Sequence, residues 1–241
     1  MHKTLRIVLG FIILGGTFSA FLVMGGVEGA AKQSEPHSQT TIGSQAEKLA
    51  MLQAAESSMK CHSTFNNGKY DEALIHCKAA ADKGDSSAQL FFAIMHEKGE
   101  GVVQDYKKAF EWYMKAAEQG NSDAQFFIAS MYEKGEGVVQ DYKKALEWYV
   151  KAAEQGDVVA QLNLASMYEK GEGIAQDYKK AFEWYMKAAE QGDAVAQNNL
   201  GTMYYRGNGV AQDKQKAVEW LRKSAEQDNE SAKKSLANLG Y

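Results

Sequence analysis

The chain has little of what catalytic, metal-binding and nucleic-acid-binding sites require. Its five histidines are too few and too scattered to form a metal cluster. Its Gly-x-Gly pairs follow predicted helices rather than strands, which excludes the phosphate-binding loops that open a helix after a strand. The net charge is -4, and the lysines are spread around each helix as a solvated surface. We therefore expect no metal, no cofactor and no nucleic acid partner.

One short motif leaves an enzymatic alternative open. Residues 57–60 (SSMK) place Ser57 and Lys60 at the Ser-x-x-Lys spacing of penicillin-binding enzymes. The Ser-Asp-Asn and Lys-Thr-Gly motifs that accompany this spacing are absent downstream. We assign no catalytic residue, and the alternative is a β-lactam-active or other envelope enzyme that uses Ser57 and Lys60.

What the sequence does have is repetition. Residues 107–113 (KKAFEWY) return nearly unchanged at 143–149 and 179–185, and fade into 216–221. Three series of small residues recur every 36 positions: Ala109, Ala145, Ala181 and Ala217; Ala88, Ala124, Ala160, Ala196 and Ala232; and Gly99, Gly135, Gly171 and Gly207. A fixed period of about 20 to 50 residues is typical of stacked repeats, in which each unit covers its neighbour's apolar face.

Each period predicts two helices. Apolar residues at helical spacing indicate a first helix from about Ser122 to Lys134, which Gly135 ends, and a second from about Tyr142 to Gln155. The second helix should bury Ala145, Trp148, Tyr149, Ala152 and Ala153. Side chains that can cap the helix starts recur as Asp85, Asn121, Asp157 and Asp193, and as Asp105, Asp141, Asp177 and Asp213. His96 stands where other units carry tyrosine and is interpreted as a core residue.

These residues resemble a known repeat. The pattern is most complete over 196–220, with Ala196, Leu200-Gly201, Tyr204, Gly207-x-Gly209-Val210, Asp213, Lys216-Ala217 and Trp220. It resembles the Sel-one-like repeat (SLR) family of the tetratricopeptide superfamily over about residues 85 to 239. The resemblance implies an all-α fold: an α-solenoid, or right-handed superhelix, of about five hairpins plus a C-terminal capping helix. It also implies a scaffold that organises other proteins, with no chemistry of its own.

The two ends of the array differ from its middle. Residues 45–84 form a first hairpin, with helices from about Gln45 to Phe65 and Tyr70 to Asp82, because 68–74 (GKYDEAL) resembles an ordinary tetratricopeptide turn. Residues 85–241 hold the Sel-one-like repeats. Residues 229–239 begin a sixth unit and stop, and Lys233 and Lys234 suit the polar outer face of a capping helix.

The first residues predict export. Lys3 and Arg6 precede an uncharged run over 7–27, so residues 1–29 are interpreted as a signal peptide or an uncleaved signal anchor. Either form places the repeats outside the cytoplasm, in the periplasm or secreted. Without cleavage, residues 7–27 would anchor the chain to the inner membrane, as its sole membrane contact. Residues 30–44, with the only proline, Pro36, predict a flexible linker.

The two cysteines flank the turn of the first hairpin. Cys61 and Cys77 lie at similar distances from Gly68, so antiparallel helices should bring them to one level. An oxidising compartment then favours a disulfide. The alternative is a metal site that adds His62 and His76, but adjacent helical residues point about 100° apart and cannot converge easily.

A partner is expected on the concave surface. In tetratricopeptide arrays the first helix of each hairpin lines this surface, and the resemblance implies a groove built from three positions per unit. These residues are Leu90, Phe126, Leu162 and Asn198; Ile94, Ser130, Ser166 and Thr202; and Glu97, Glu133, Glu169 and Tyr205. An apolar row beside an acidic row fits an extended protein or peptide segment with apolar and basic residues. The alternative is that the glutamates only keep the helix ends soluble.

Overall fold

The helices follow one another in antiparallel pairs. The computed structural model describes residues 37–241, with side chains from Ser44 onward. Within that range the helices are α1 (His37–Asn66), α2 (Tyr70–Ala81), α3 (Ser86–Lys98), α4 (Tyr106–Glu118), α5 (Ser122–Lys134), α6 (Tyr142–Glu154), α7 (Val158–Lys170), α8 (Tyr178–Glu190), α9 (Ala194–Arg206), α10 (Lys214–Ala225) and α11 (Glu230–Asn238). The described range has no strand. Five hairpins and one further helix confirm the predicted α-solenoid.

Local side chains determine where the helices start and end. The Asn121 side chain accepts a hydrogen bond from Ala124 N at 2.9 Å, and Asp177 accepts one from Lys180 N at 3.0 Å. The other predicted caps bond in the same way, so all eight are confirmed. Gly135 ends α5 in the left-handed region, at φ 74°. Such an end suits glycine because a Cβ atom would be strained there.

The first helix is longer than the sequence predicts. Helix α1 begins at His37 rather than near Gln45, so residues 37–44 of the predicted linker are its first turns. Pro36 precedes the helix and does not interrupt it, because a proline breaks a helix from an interior position. The predicted leader, residues 1–29, and residues 30–36 of the linker lie outside the described residues.

The core is built from alanines and tyrosines. Ala145, Tyr149 and Ala152 are fully buried, as predicted. Trp148 is only half-buried, because its ring lies at the edge of the hairpin with the Lys151 ammonium 3.7 Å from the ring centroid. This correction holds for all four tryptophans, each of which is half-buried beneath a lysine three residues later. The lysine stems therefore shield the outer edge of the core.

Glutamine side chains bond both within a hairpin and to the hairpin before it. Gln125 donates a hydrogen bond to the Ala117 carbonyl at 3.1 Å and accepts one from Gln155 Nε2 at 2.8 Å. The buried members of this ladder are Gln89, Gln125, Gln161 and Gln197, and their partners are Gln119, Gln155, Gln191 and Gln227. A buried amide that loses its partner costs about 1–3 kcal/mol. The ladder therefore favours a single register between hairpins.

The helices of the described range are all too short or too polar to cross a membrane.

Candidate partner-binding face

The first helices α3, α5, α7 and α9 leave one side partly open. We call this the first-helix face, and define it by eleven of the twelve predicted groove residues: Ile94, Glu97, Phe126, Ser130, Glu133, Leu162, Ser166, Glu169, Asn198, Thr202 and Tyr205. Ten of them are half-buried, and Tyr205 is exposed. The twelfth, Leu90, is 6% exposed because it lies in the same buried cluster as Ala93 and Tyr113. The prediction that Leu90 lines the groove is therefore wrong.

Aromatic rings form the apolar part of this face. Phe126 packs edge-on against Phe127, with centroids 5.4 Å apart, and lies 5.9 Å from Tyr149. Phe127 in turn stacks on Tyr113 at 4.8 Å. The sequence prediction did not include Phe127. The available signal was that the 36-residue period places a phenylalanine, Phe91, at the same position of the preceding unit. The half-buried rings therefore continue from the core to the surface of the face.

Each acidic residue of the face is held by a tyrosine. The Tyr149 hydroxyl donates a hydrogen bond to Glu133 Oε2 at 2.6 Å, and Tyr185 donates to Glu169 Oε2 at 2.9 Å. Tyr113 makes the same bond to Glu97. The glutamates therefore do more than keep helix ends soluble, since each one satisfies a buried phenol. This pairing joins the two helices of a hairpin and was absent from the prediction.

Burial and the carboxylates act on the tyrosines in the same direction. Desolvation raises the pKa of Tyr113, and the neighbouring Glu97 carboxylate raises it further. Desolvation also raises the pKa of Tyr149 and of Tyr185, each beside its own glutamate. A neutral phenol donates one proton to a carboxylate oxygen. The hydrogen bond engages Oε2 and fixes the direction in which each carboxylate points.

The last full hairpin lacks this pair. Tyr205 stands in the register of the glutamates, and Leu221 in the register of the tyrosines. Both partners change together, so neither a buried phenol nor its carboxylate is left alone. In the same hairpin a Cβ on Gly201 would lie 2.8 Å from Leu221 Cγ. Gly201 therefore leaves room for Leu221, which an alanine in this register, as at Ala165 in the preceding unit, would not.

The cysteines and His96 lie in the core. Cys61 and Cys77 are joined by a disulfide across a sequence separation of 16, with Cα atoms 4.6 Å apart, and both are fully buried. The bond engages both sulfurs, so they cannot serve as the thiolate ligands of the alternative metal site. His96 is buried against Phe92, with centroids 4.8 Å apart, which confirms its interpretation as a core residue.

The residues of the enzymatic alternative are engaged separately. Ser57 donates its hydroxyl proton to the Gln53 carbonyl at 2.8 Å. Lys60 makes an ion pair with Glu56 Oε1 at 2.7 Å. A serine nucleophile needs a base within hydrogen-bond reach, and the described contacts give Ser57 a helix carbonyl instead.

Comparison with protein families agrees with this geometry. The Sel1 repeat model matches residues 67–85, 86–121, 122–157, 158–193 and 194–229. The chain belongs to the Sel1 repeat family. Sel1 repeat proteins are generally scaffolds for protein–protein interaction, and their fold is typically non-enzymatic. Comparison with curated proteins finds no match.

Two solved Sel1 repeat structures are similar to the array. One is a protective antigen present in uropathogenic Escherichia coli strains, which displays an SLR fold; it is 38% identical, with a TM-score of 0.71 over 75% of this chain. The other is a Sel1 repeat protein from Oxalobacter formigenes, 40% identical, with a TM-score of 0.67 over 70% of this chain. The matches span 39% and 50% of those two chains.

Proposed function

We propose that this Sel1 repeat protein is an exported scaffold that holds an extended segment of a partner protein on the first-helix face. The observation that carries the proposal is the row of oriented carboxylates beside half-buried apolar side chains. Each glutamate presents one oxygen to a tyrosine, and the contacts of the described chain leave its other oxygen unengaged. A lysine or arginine of the partner can bind there.

Two features support export. Lys3 and Arg6 before the uncharged run over 7–27 favour insertion with the N-terminus inside. The disulfide between Cys61 and Cys77 suits an oxidising compartment, where such bonds persist. Those cysteines clamp the first hairpin, which has a neighbouring repeat on only one side among the described residues. The scaffold would then act in envelope assembly or in contact with a host.

Export is tested with a fused reporter. Alkaline phosphatase joined after Tyr241 should be active, because it folds only where its own disulfides form. A matched fusion that lacks residues 1–29 should be inactive. Activity of a cytosolic reporter at Tyr241, with a silent phosphatase, would contradict export.

The binding face is tested in two steps. The wild-type array first captures a partner, and the amount of that partner captured by each variant is then compared. Phe126→Asn with Leu162→Asn removes the apolar row, and the chain already carries Asn198 in this register. Capture should be lost while the helical circular dichroism signal is kept. The matched control is Glu147→Gln with Glu183→Gln, two exposed residues on the second helices. Equal capture by both variants would place the binding surface elsewhere.

The acidic row needs a different substitution. A change of Glu97, Glu133 and Glu169 to lysine would leave three tyrosine hydroxyls facing ammonium groups, which cannot accept a hydrogen bond. The glutamine variant removes the charge but keeps an acceptor oxygen for each tyrosine. We expect it to bind the partner with a slower association rate and a weaker salt dependence. An unchanged association rate at low salt would leave the glutamates with a structural role alone.

A further inference from the structure

The last full hairpin contains a cavity at the place where the repeat pattern is broken. It has a volume of about 250 Å³ and lies among α9, α10 and α11. The lining residues that matter here are Tyr205, Arg206, Leu221, Ser235, Asn238 and Leu239. Small-molecule pockets usually measure about 300–1,000 Å³, so this cavity suits a single amino-acid side chain.

The cavity arises because Tyr205 replaces the glutamate, and Leu221 the tyrosine, of the other units. In the three preceding units the register of Leu221 holds a tyrosine whose ring is buried and whose hydroxyl reaches the glutamate. Leucine is shorter than tyrosine and ends within the core. The Tyr205 ring does not fill the gap either, since it is 39% exposed.

The same exchange changes the charge of the site. In the preceding unit Glu169 is followed by Lys170, so a negative and a positive charge stand side by side. In the last unit Tyr205 is followed by Arg206, and no carboxylate lines the cavity. Within the described chain, Arg206 makes no ion pair. Its planar guanidinium group matches the two oxygens of a carboxylate better than a lysine does.

Polar and apolar groups divide the cavity between them. Ser235 donates its proton to the Ser231 carbonyl at 2.9 Å, so its oxygen can only accept a further bond. The Tyr205 backbone carbonyl accepts a bond from Gln212 Nε2 at 2.7 Å, whereas the Tyr205 hydroxyl and the Asn238 side-chain amide bond to no other residue of the described chain. Leu221 and Leu239 supply the apolar wall. The lining therefore combines a cation, free donors, an acceptor and an apolar surface.

We propose that this cavity binds the C-terminal residue of a partner peptide. The terminal carboxylate bonds to Arg206 and Tyr205, the last side chain packs on Leu221 and Leu239, and the Asn238 side-chain oxygen accepts the peptide N–H. This inference rests on the proposed scaffold function and specifies which end of the partner segment is held. A fatty acid offers the same carboxylate, but it lacks the N–H that the Asn238 side-chain oxygen would accept.

The test is a titration of the isotope-labelled protein with N-acetyl-leucine, followed by NMR. Saturable shifts are expected at the Arg206 Nε–H and at the Leu221 and Leu239 methyl groups. N-acetyl-leucinamide has no charge and should bind at least about tenfold more weakly than N-acetyl-leucine. The Arg206→Gln variant should bind N-acetyl-leucine more weakly by a similar factor. Octanoate should also bind more weakly than N-acetyl-leucine. Tighter octanoate binding would reassign the cavity to fatty carboxylates and overturn the peptide proposal.

A filled cavity gives the matched control. Tyr205→Glu with Leu221→Tyr restores the pair found in the other units, so the variant should fold and should lose N-acetyl-leucine binding. Equal binding of acid and amide, or shifts confined to other residues, would overturn the inference. The scaffold function stands if the cavity proposal fails in this way but the Phe126→Asn, Leu162→Asn double variant still loses the captured partner. If the acid binds through Arg206 while that double variant keeps the partner, the first-helix face is wrong instead.

Discussion

At the scale of single residues, the tyrosine of each second helix fills the core and also fixes a carboxylate. Tyr149 is fully buried, yet its hydroxyl reaches Glu133 at 2.6 Å and accepts a bond from Asn163 Nδ2 at 3.1 Å. Asn163 belongs to the next hairpin, so one phenol connects three helices. Removing a hydrogen bond to a charged group typically costs about 2 kcal/mol. The buried phenols should therefore contribute measurably to stability.

These tyrosines should limit stability at alkaline pH. Burial and the glutamates raise the pKa of Tyr113, Tyr149 and Tyr185 above the ordinary value of 10.0. Because the folded pKa exceeds the unfolded pKa, their contribution is complete below about pH 10 and is lost as the pH rises beyond it. The urea midpoint should fall less steeply from pH 9 to 11 when all three are phenylalanine. Tyr142→Phe, at a 37% exposed position, is the control, and equal slopes would contradict the prediction.

The disulfide should contribute about 3 kcal/mol, since it closes a loop of roughly 15 residues in the unfolded chain. Protein purified without reductant should contain no free thiol, and Cys61→Ala with Cys77→Ala should lower the free energy of unfolding by that amount. Alkylation without reductant, followed by mass spectrometry, counts the thiols. Wild-type protein kept in reductant should unfold at the same urea concentration as the double variant. Full alkylation of both cysteines without reductant would disprove the bond.

At the scale of secondary-structure elements, the loop between the two helices of a hairpin packs on the hairpin before it. A Cβ on Gly137 would lie 2.3 Å from the Tyr106 carbonyl oxygen, at the start of α4. Gly156 also has a positive φ, but nothing lies within 4 Å of its Cβ position. The two glycines thus separate the effect of backbone conformation from the effect of close approach.

Gly137→Ala should therefore destabilise the array more than Gly156→Ala. Both substitutions place a side chain in the left-handed region, at a cost of about 1 kcal/mol. Only the first also forces α4 and the loop apart, which should add at least about 1 kcal/mol of overpacking strain. Urea denaturation of the two variants measures the difference. Equal midpoints would show that the loop moves away without cost.

The sequence predicts what depends on near neighbours along the chain. Helix α5 was expected from Ser122 to Lys134 and has those bounds, because its cap and its terminal glycine act within a few residues. The pairing of Tyr149 with Glu133 escaped prediction, since it joins residues 16 apart on different helices. The burial of Leu90 was also missed, because it depends on how the hairpins pack and not on helical spacing alone.

At the scale of the whole molecule, the 36-residue period makes the array modular. The Gln125 and Gln155 pair, 30 residues apart, recurs in each later unit with the same geometry. Each hairpin bonds chiefly to its neighbours, so stability is approximately a sum of unit and interface terms. A whole unit can then be removed if the junction keeps the register.

Deletion of residues 142–177 should therefore give a folded, shorter array. It removes α6 and α7 and joins Asp141 to Tyr178, so the new sequence around the junction repeats the one at Asp105. The helical signal per residue should be unchanged, while the urea m-value falls with the buried surface that is removed. The control deletion of 142–157 removes α6 alone and leaves α5 and α7, two first helices, in succession. It should unfold or aggregate, because neither the tyrosine partner of Glu133 nor the alanine stripe of α6 remains. Equal stability of the two deletions would contradict a modular array.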